Sequence, residues 1–122
     1  MPIASDELRR LLGQFNKDSG ADLSMVLTRT GTSIAHDGSG EVNADTFASL
    51  AATLMNAAEV MYAGLGRAAP SRILVESEQA SLVASGLGAK AMFVAVGSDR
   101  ERILRGMDDV TAGIRSILVA RA

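Results

Sequence analysis

A chain of 122 residues is one domain's worth of sequence, and residues 1–122 are expected to fold around one core. With 48% hydrophobic and 21% charged residues it lies near the averages for folded proteins, which excludes a disordered or fibrous chain. A net charge of −2 without any basic run offers no surface for the counterion release that drives nucleic-acid binding, and the absence of Cys removes disulfides, thiolate metal sites and cysteine nucleophiles together.

The opening residues, Met1-Pro2-Ile3-Ala4-Ser5-Asp6-Glu7, have neither the basic region nor the apolar core of a secretory signal, and a cytoplasmic location is expected. Leu8, Leu11, Leu12 and Phe15 fall at i, i+3, i+4 and i+7, which predicts an amphipathic helix over 5–19. Ser5 is its expected cap, Asp6 and Glu7 suit the positive end of its dipole, and Gly20 stops it. Leu23 to Arg29 reads as a central strand, Thr30-Gly31-Thr32 as a turn, and Ser33 to His36 as the second arm of a hairpin. Asp37-Gly38-Ser39-Gly40 then breaks the pattern as a polar loop.

Asn43 is a plausible cap for a long helix from Ala44 to Leu65, ended by Gly64 and Gly66 ahead of Pro70. Asp45 and Glu59 are its only charges, so it has no ordinary solvated face. Phe47, Leu50, Leu54, Ala58, Met61 and Leu65 project along one side, and Ala48, Ala51, Met55 and Tyr62 form a second stripe beside it. Laying the first stripe on a sheet leaves the second in water. Each large apolar side chain left exposed forgoes about 1.5–3 kcal/mol, so a partner is the natural cover.

Beyond Pro70, Arg72 to Glu76, Ala80 to Ser85 and Ala91 to Val96 read as a strand meander with bends at Ser77-Glu78-Gln79 and Gly86-Leu87-Gly88. Ser98-Asp99-Arg100-Glu101 matches a capping box, and Ile103, Leu104, Met107, Val110, Ile114, Ile117 and Leu118 continue at helical spacing. The order αββαβββα, with its hairpin and its meander, argues for an antiparallel α+β sheet.

Chemistry finds little purchase here. His36 is the single histidine, so neither a zinc site nor a Ser/His nucleophile system can be assembled, and no cofactor, metal or catalytic residue is expected. The Gly pairs Gly38-Ser39-Gly40, Gly64-Leu65-Gly66 and Gly86-Leu87-Gly88 lack the spacing of a dinucleotide fingerprint or a Walker loop and read as turns and caps. Arg100, Arg102, Arg105 and Arg115 are interleaved with Glu101, Asp108 and Asp109, as a solvated helix face is. The long helix approaches a membrane span in length, but Asp45, Asn56 and Glu59 within it favour burial in a protein interface.

The element order, the hairpin Thr30-Gly31-Thr32-Ser33-Ile34-Ala35, and the stretch Val42 to Ala52 followed by Ala57-Ala58-Glu59 resemble the roadblock/dynein light chain family. That resemblance implies a five-stranded sheet ordered 2-1-5-4-3, with the long helix on one face and the terminal helices on the other. It further implies a homodimer formed by pairing third strands and packing long helices together, and hence an interface over Ala48, Ala51, Met55, Tyr62, Ile73 and Val75. Glu59 is a candidate partner contact. The function implied is a non-catalytic module that binds and regulates or scaffolds a small Ras-like GTPase. A structural adaptor without a GTPase and a small-molecule sensor are the alternatives.

Overall fold

The computed structural model describes residues 2–38 and 43–120, with side chains from Ser5 onward. Helix α1 runs Pro2–Ser19, strands β1 and β2 span Ala21–Thr28 and Ser33–Gly38, and helix α2 spans Ala44–Gly64. The meander follows as β3 Arg72–Glu76, β4 Ser81–Gly86 and β5 Ala91–Gly97, and helix α3 closes the order at Arg100–Ala120. The strands form one antiparallel sheet in the order β2-β1-β5-β4-β3, as the resemblance implied.

Local chemistry sets the boundaries, and two of them differ from the sequence reading. Helix α1 begins at Pro2, a residue suited to the first helical position, so Ser5 lies within the helix and its hydroxyl donates to the Ile34 carbonyl (3.3 Å) instead of capping. Asp6 and Glu7 consequently fall beyond the first turn. At the other end Gly20 takes φ 75° and donates to the Asn16 carbonyl (2.8 Å), the stop that was expected. Helix α3 is capped by Asp99, not Ser98: the Asp99 carboxylate accepts from Arg102 N (3.1 Å), and its carbonyl accepts from Ile103 N (3.0 Å). Asn43 caps α2 as read, accepting from Thr46 N (3.0 Å). Asp37 and Gly38 extend β2, whereas Ser39 and Gly40 lie outside the described residues.

Alternation along the strands builds a core on each face of the sheet. Val26, Val83, Phe93 and Ala95 point toward the terminal helices and meet Leu8, Leu12 and Phe15 of α1 and Ile103, Met107 and Ile114 of α3. Phe15 and Phe93 stand edge to face at 5.2 Å between ring centroids. Gly106 lets the two helices close: a Cβ there would lie 3.0 Å from the Phe15 ring.

On the other face Met25, Leu27, Ala84, Met92 and Val94 meet Ala48, Ala51, Ala52 and Met55 of α2. The two stripes of α2 are therefore largely exchanged relative to the sequence reading, although Phe47 of the first stripe still packs on the sheet side and Tyr62 of the second is exposed. Ala48, Ala51 and Met55 lie on the sheet, while Leu50, Met61 and Leu65 face out. The physical reason is complementary bulk. Three long side chains on the sheet, Met25, Leu27 and Met92, fill the layer at native density only if the helix presents small residues opposite them.

Candidate interaction surface

The outward side of α2 is a continuous apolar seam. Leu50, Met61 and Leu65 are 63%, 69% and 74% exposed, with half-buried Leu54 at a matching helical position, while Phe47 packs against the sheet-side core. After Glu59 no α2 residue is buried, and Tyr62 is exposed on this overhang. Beside the seam, α2 leaves the outer strands partly bare. Ile73 and Val75 share the α2 face of β3, Ile73 half-buried and Val75 exposed, and Leu82 of the adjoining β4 is half-buried. Since β3 is the last strand of the sheet, one side of its backbone has no strand partner among the described residues. Helix seam, bare strand face and open edge thus lie on one flank.

These positions sort the expected site residues. Ile73, Val75 and Tyr62 are accessible on or near that flank. Ala48, Ala51 and Met55 are at most 5% exposed within the chain, so they have no surface left to give a mate. Leu50, Met61, Leu65 and Leu74, the last 40% exposed at the open edge, are exposed apolar residues that were not among the expected site residues. The usable signal was side-chain size, because the Ala-rich stripe is the one that can approach a sheet bearing methionines.

Glu59 is engaged within the chain rather than offered outward. Its carboxylate accepts from Arg29 Nη1 at 2.8 Å, and the same guanidinium donates to the carbonyls of Ala91 (3.2 Å) and Gly88 (3.0 Å). Arg29 thereby ties α2 to the bend between β4 and β5. The arginines of α3 are likewise partly committed: Arg100 pairs with Glu76 (2.5 Å), and Arg102 donates to the Asp18 carbonyl (2.6 Å). Arg72 pairs with Asp108 (2.8 Å), fastening the start of β3 to α3.

Several recesses lie elsewhere on the described surface. The one between α1 and α3, about 250 Å³, is lined by Leu11, Phe15, Gly106, Val110 and Gly113 with Gln14, Asp18 and Asp109 at exposed positions, and it falls below the usual size of ligand pockets, roughly 300–1,000 Å³. A broader groove along α1 is walled by exposed Arg9, Arg10 and Lys17. Among the described residues no group of three or more His, Cys, Asp or Glu side chains is placed to hold a metal, and no helix is long and apolar enough to cross a membrane.

The model for the Roadblock/LC7 domain matches residues 7–97, and the chain belongs to that family. Among curated proteins none matches the sequence. Solved structures similar to this chain include an MglB with tetrameric arrangement, at TM-score 0.87 and 18% identity over 96% of this chain and 91% of that one. The gliding protein MglB of Thermus thermophilus superposes at TM-score 0.86 and 18% identity, covering 96% of this chain and 92% of its own. A Roadblock/LC7 domain from Streptomyces avermitilis follows at 0.75 and 18%, covering 91% and 97%. At such identities these likenesses establish the fold.

Proposed function

We propose that the chain is a non-catalytic homodimeric module that binds a small Ras-like GTPase and regulates or scaffolds it. The carrying observation is the apolar seam of Leu50, Met61 and Leu65 lying beside the open edge of β3. Two copies related by a twofold axis would set seam against seam and edge against edge, covering both features at once. Magnitudes support using both. Burying those three side chains in each copy contributes roughly 9–18 kcal/mol in all, of the same order as an association cost of roughly 4–15 kcal/mol, and strand pairing would widen the margin.

Family membership supports the GTPase as the partner, which is what the resemblance to the roadblock family implies, and the MglB with tetrameric arrangement is a relative by fold that self-assembles. Regulation on this reading requires only that the dimer bind one nucleotide state of the GTPase more tightly than the other. The test has two stages. Light scattering after size exclusion should give a dimer mass at micromolar concentration, and a Leu50→Glu, Met61→Glu double variant should give a folded monomer. The dimer is then titrated with Ras-like GTPases from the same genome, loaded with GDP or a non-hydrolysable GTP analogue. State-dependent binding supports regulation and equal binding supports scaffolding. Binding to neither overturns the GTPase reading in favour of the plain adaptor.

A further inference from the structure

A recess on the α3 side of the sheet takes no part in the apolar seam. It lies where the start of β3 and the end of β4 meet α3, and its volume of about 320 Å³ falls within the range of ligand pockets, roughly 300–1,000 Å³. Arg72 and Ser85 are partners across the β3–β4 ladder and line it together. Asp108, Thr111 and Arg115 reach it from α3, at i, i+3 and i+7 on one side of the helix. Ser71, just ahead of β3, adds a further hydroxyl.

Ser85 is the residue that packing alone does not explain. Val83, two positions earlier on β4, belongs to the core under α1 and α3, and alternation puts Ser85 on that same face. Ser85 is only 8% exposed, yet its hydroxyl forms no hydrogen bond among the described residues, where a buried polar group is ordinarily paired. Arg115 is exposed and makes no ion pair among the described residues. Arg72 uses one nitrogen, Nη2, on Asp108 Oδ1 (2.8 Å), which leaves the other side of its guanidinium fork facing no described acceptor.

These donors outnumber what a carboxylate can accept. A phosphoryl group has three terminal oxygens and carries two charges or nearly so at neutral pH, which suits two guanidinium forks with hydroxyls between them. Two arginines against one aspartate leave the lining net positive. Asp108 would oppose a bare anion, but its carboxylate can accept from a hydroxyl carried on the same ligand. We propose that this recess binds the phosphoryl group of a small phosphomonoester, held by Arg72, Arg115 and the Ser71 and Ser85 hydroxyls, with Asp108 accepting from the ester's body. The site is on the opposite face of the sheet from the α2 seam, so it stands separately from the homodimer reading.

Amide chemical shifts of isotope-labelled protein test it, followed while glycerol phosphate, inorganic phosphate or plain glycerol is added at constant ionic strength. Glycerol phosphate should give saturable shifts at Arg72, Ser85, Thr111 and Arg115, and glycerol none. Arg115→Gln should weaken binding roughly tenfold and Ser85→Ala several-fold, with melting curves reporting that both variants fold. Arg105→Gln removes an exposed arginine of the same helix outside the recess and should leave affinity unchanged. Inorganic phosphate should bind more weakly than the ester. Equal binding would overturn the role of Asp108 and leave free phosphate as the ligand, and tighter binding of a phosphoserine peptide would overturn a small-molecule ligand. Shifts centred on the basic residues of α1, equal losses in Arg105→Gln and Arg115→Gln, or no saturation would overturn the site itself. None of these results bears on the oligomeric state, which light scattering reads independently.

Discussion

Arg29 shows how much one side chain can hold in this fold. Its guanidinium is donor to Glu59, Ala91 and Gly88, and the two charged side chains are only 21% and 29% exposed. Truncation would leave a half-buried carboxylate without its cation and the Gly88 carbonyl without this donor, while the Ala91 carbonyl would keep only its bond from Leu87 N. Arg29→Ala is expected to cost about 2–3 kcal/mol, read as a lower urea midpoint at fixed protein concentration with the slope unchanged. Arg29→Lys should recover only part of this, since a lysine ammonium cannot reproduce the planar fork that reaches three acceptors at once. An exposed ion pair would give a much smaller loss, and a result near zero would show that Arg29 does not hold the end of α2. Nothing in the sequence pointed to this residue. Its partners are distant in the chain, and backbone carbonyls leave no mark on composition.

At the scale of elements most of the architecture was legible. Periodicity placed each helix and strand, with β3 at its observed bounds, because hydrophobic alternation and spacing are local properties. The caps were less legible. Asn43 stood alone before α2 and was read correctly, whereas Ser98 and Asp99 are adjacent and equally able to cap, and only the backbone geometry chose Asp99. Which stripe of α2 meets the sheet was not legible from periodicity, since both stripes are apolar and the deciding fact is the bulk of Met25, Leu27 and Met92 on the facing strands. That explanation carries its own test. Ala52 is 4% exposed in the close layer between α2 and the sheet, so Ala52→Leu should destabilise by roughly 1–3 kcal/mol through overpacking. Ala63→Leu, on the exposed overhang of the same helix, should leave the denaturation midpoint within about 0.5 kcal/mol of wild type. Equal effects at the two sites would remove the size argument for the orientation of α2.

For the whole molecule, the two faces of the sheet are finished to different degrees. The face under α1 and α3 is closed by two helices whose buried side chains include Leu8, Leu12, Ile103, Met107 and Ile114, whereas the face under α2 has one helix and an outer strand with Val75 bare. α3 lies wholly beyond the residues that the family model matches, yet its Ile103, Met107 and Ile114 are fully buried, so the closed face depends on it. If a second copy completes the other face, folding and association are linked, and stability must depend on concentration. The thermal midpoint is then expected to rise with protein concentration across the micromolar range. The same series on the Leu50→Glu, Met61→Glu variant should be flat, because that substitution acts on surface exposed in the single chain and absent from its core. A flat series for wild type, measured where light scattering gives a dimer, would mean that association contributes no folding free energy over that range, and that the apolar seam is stabilised by something other than its twin.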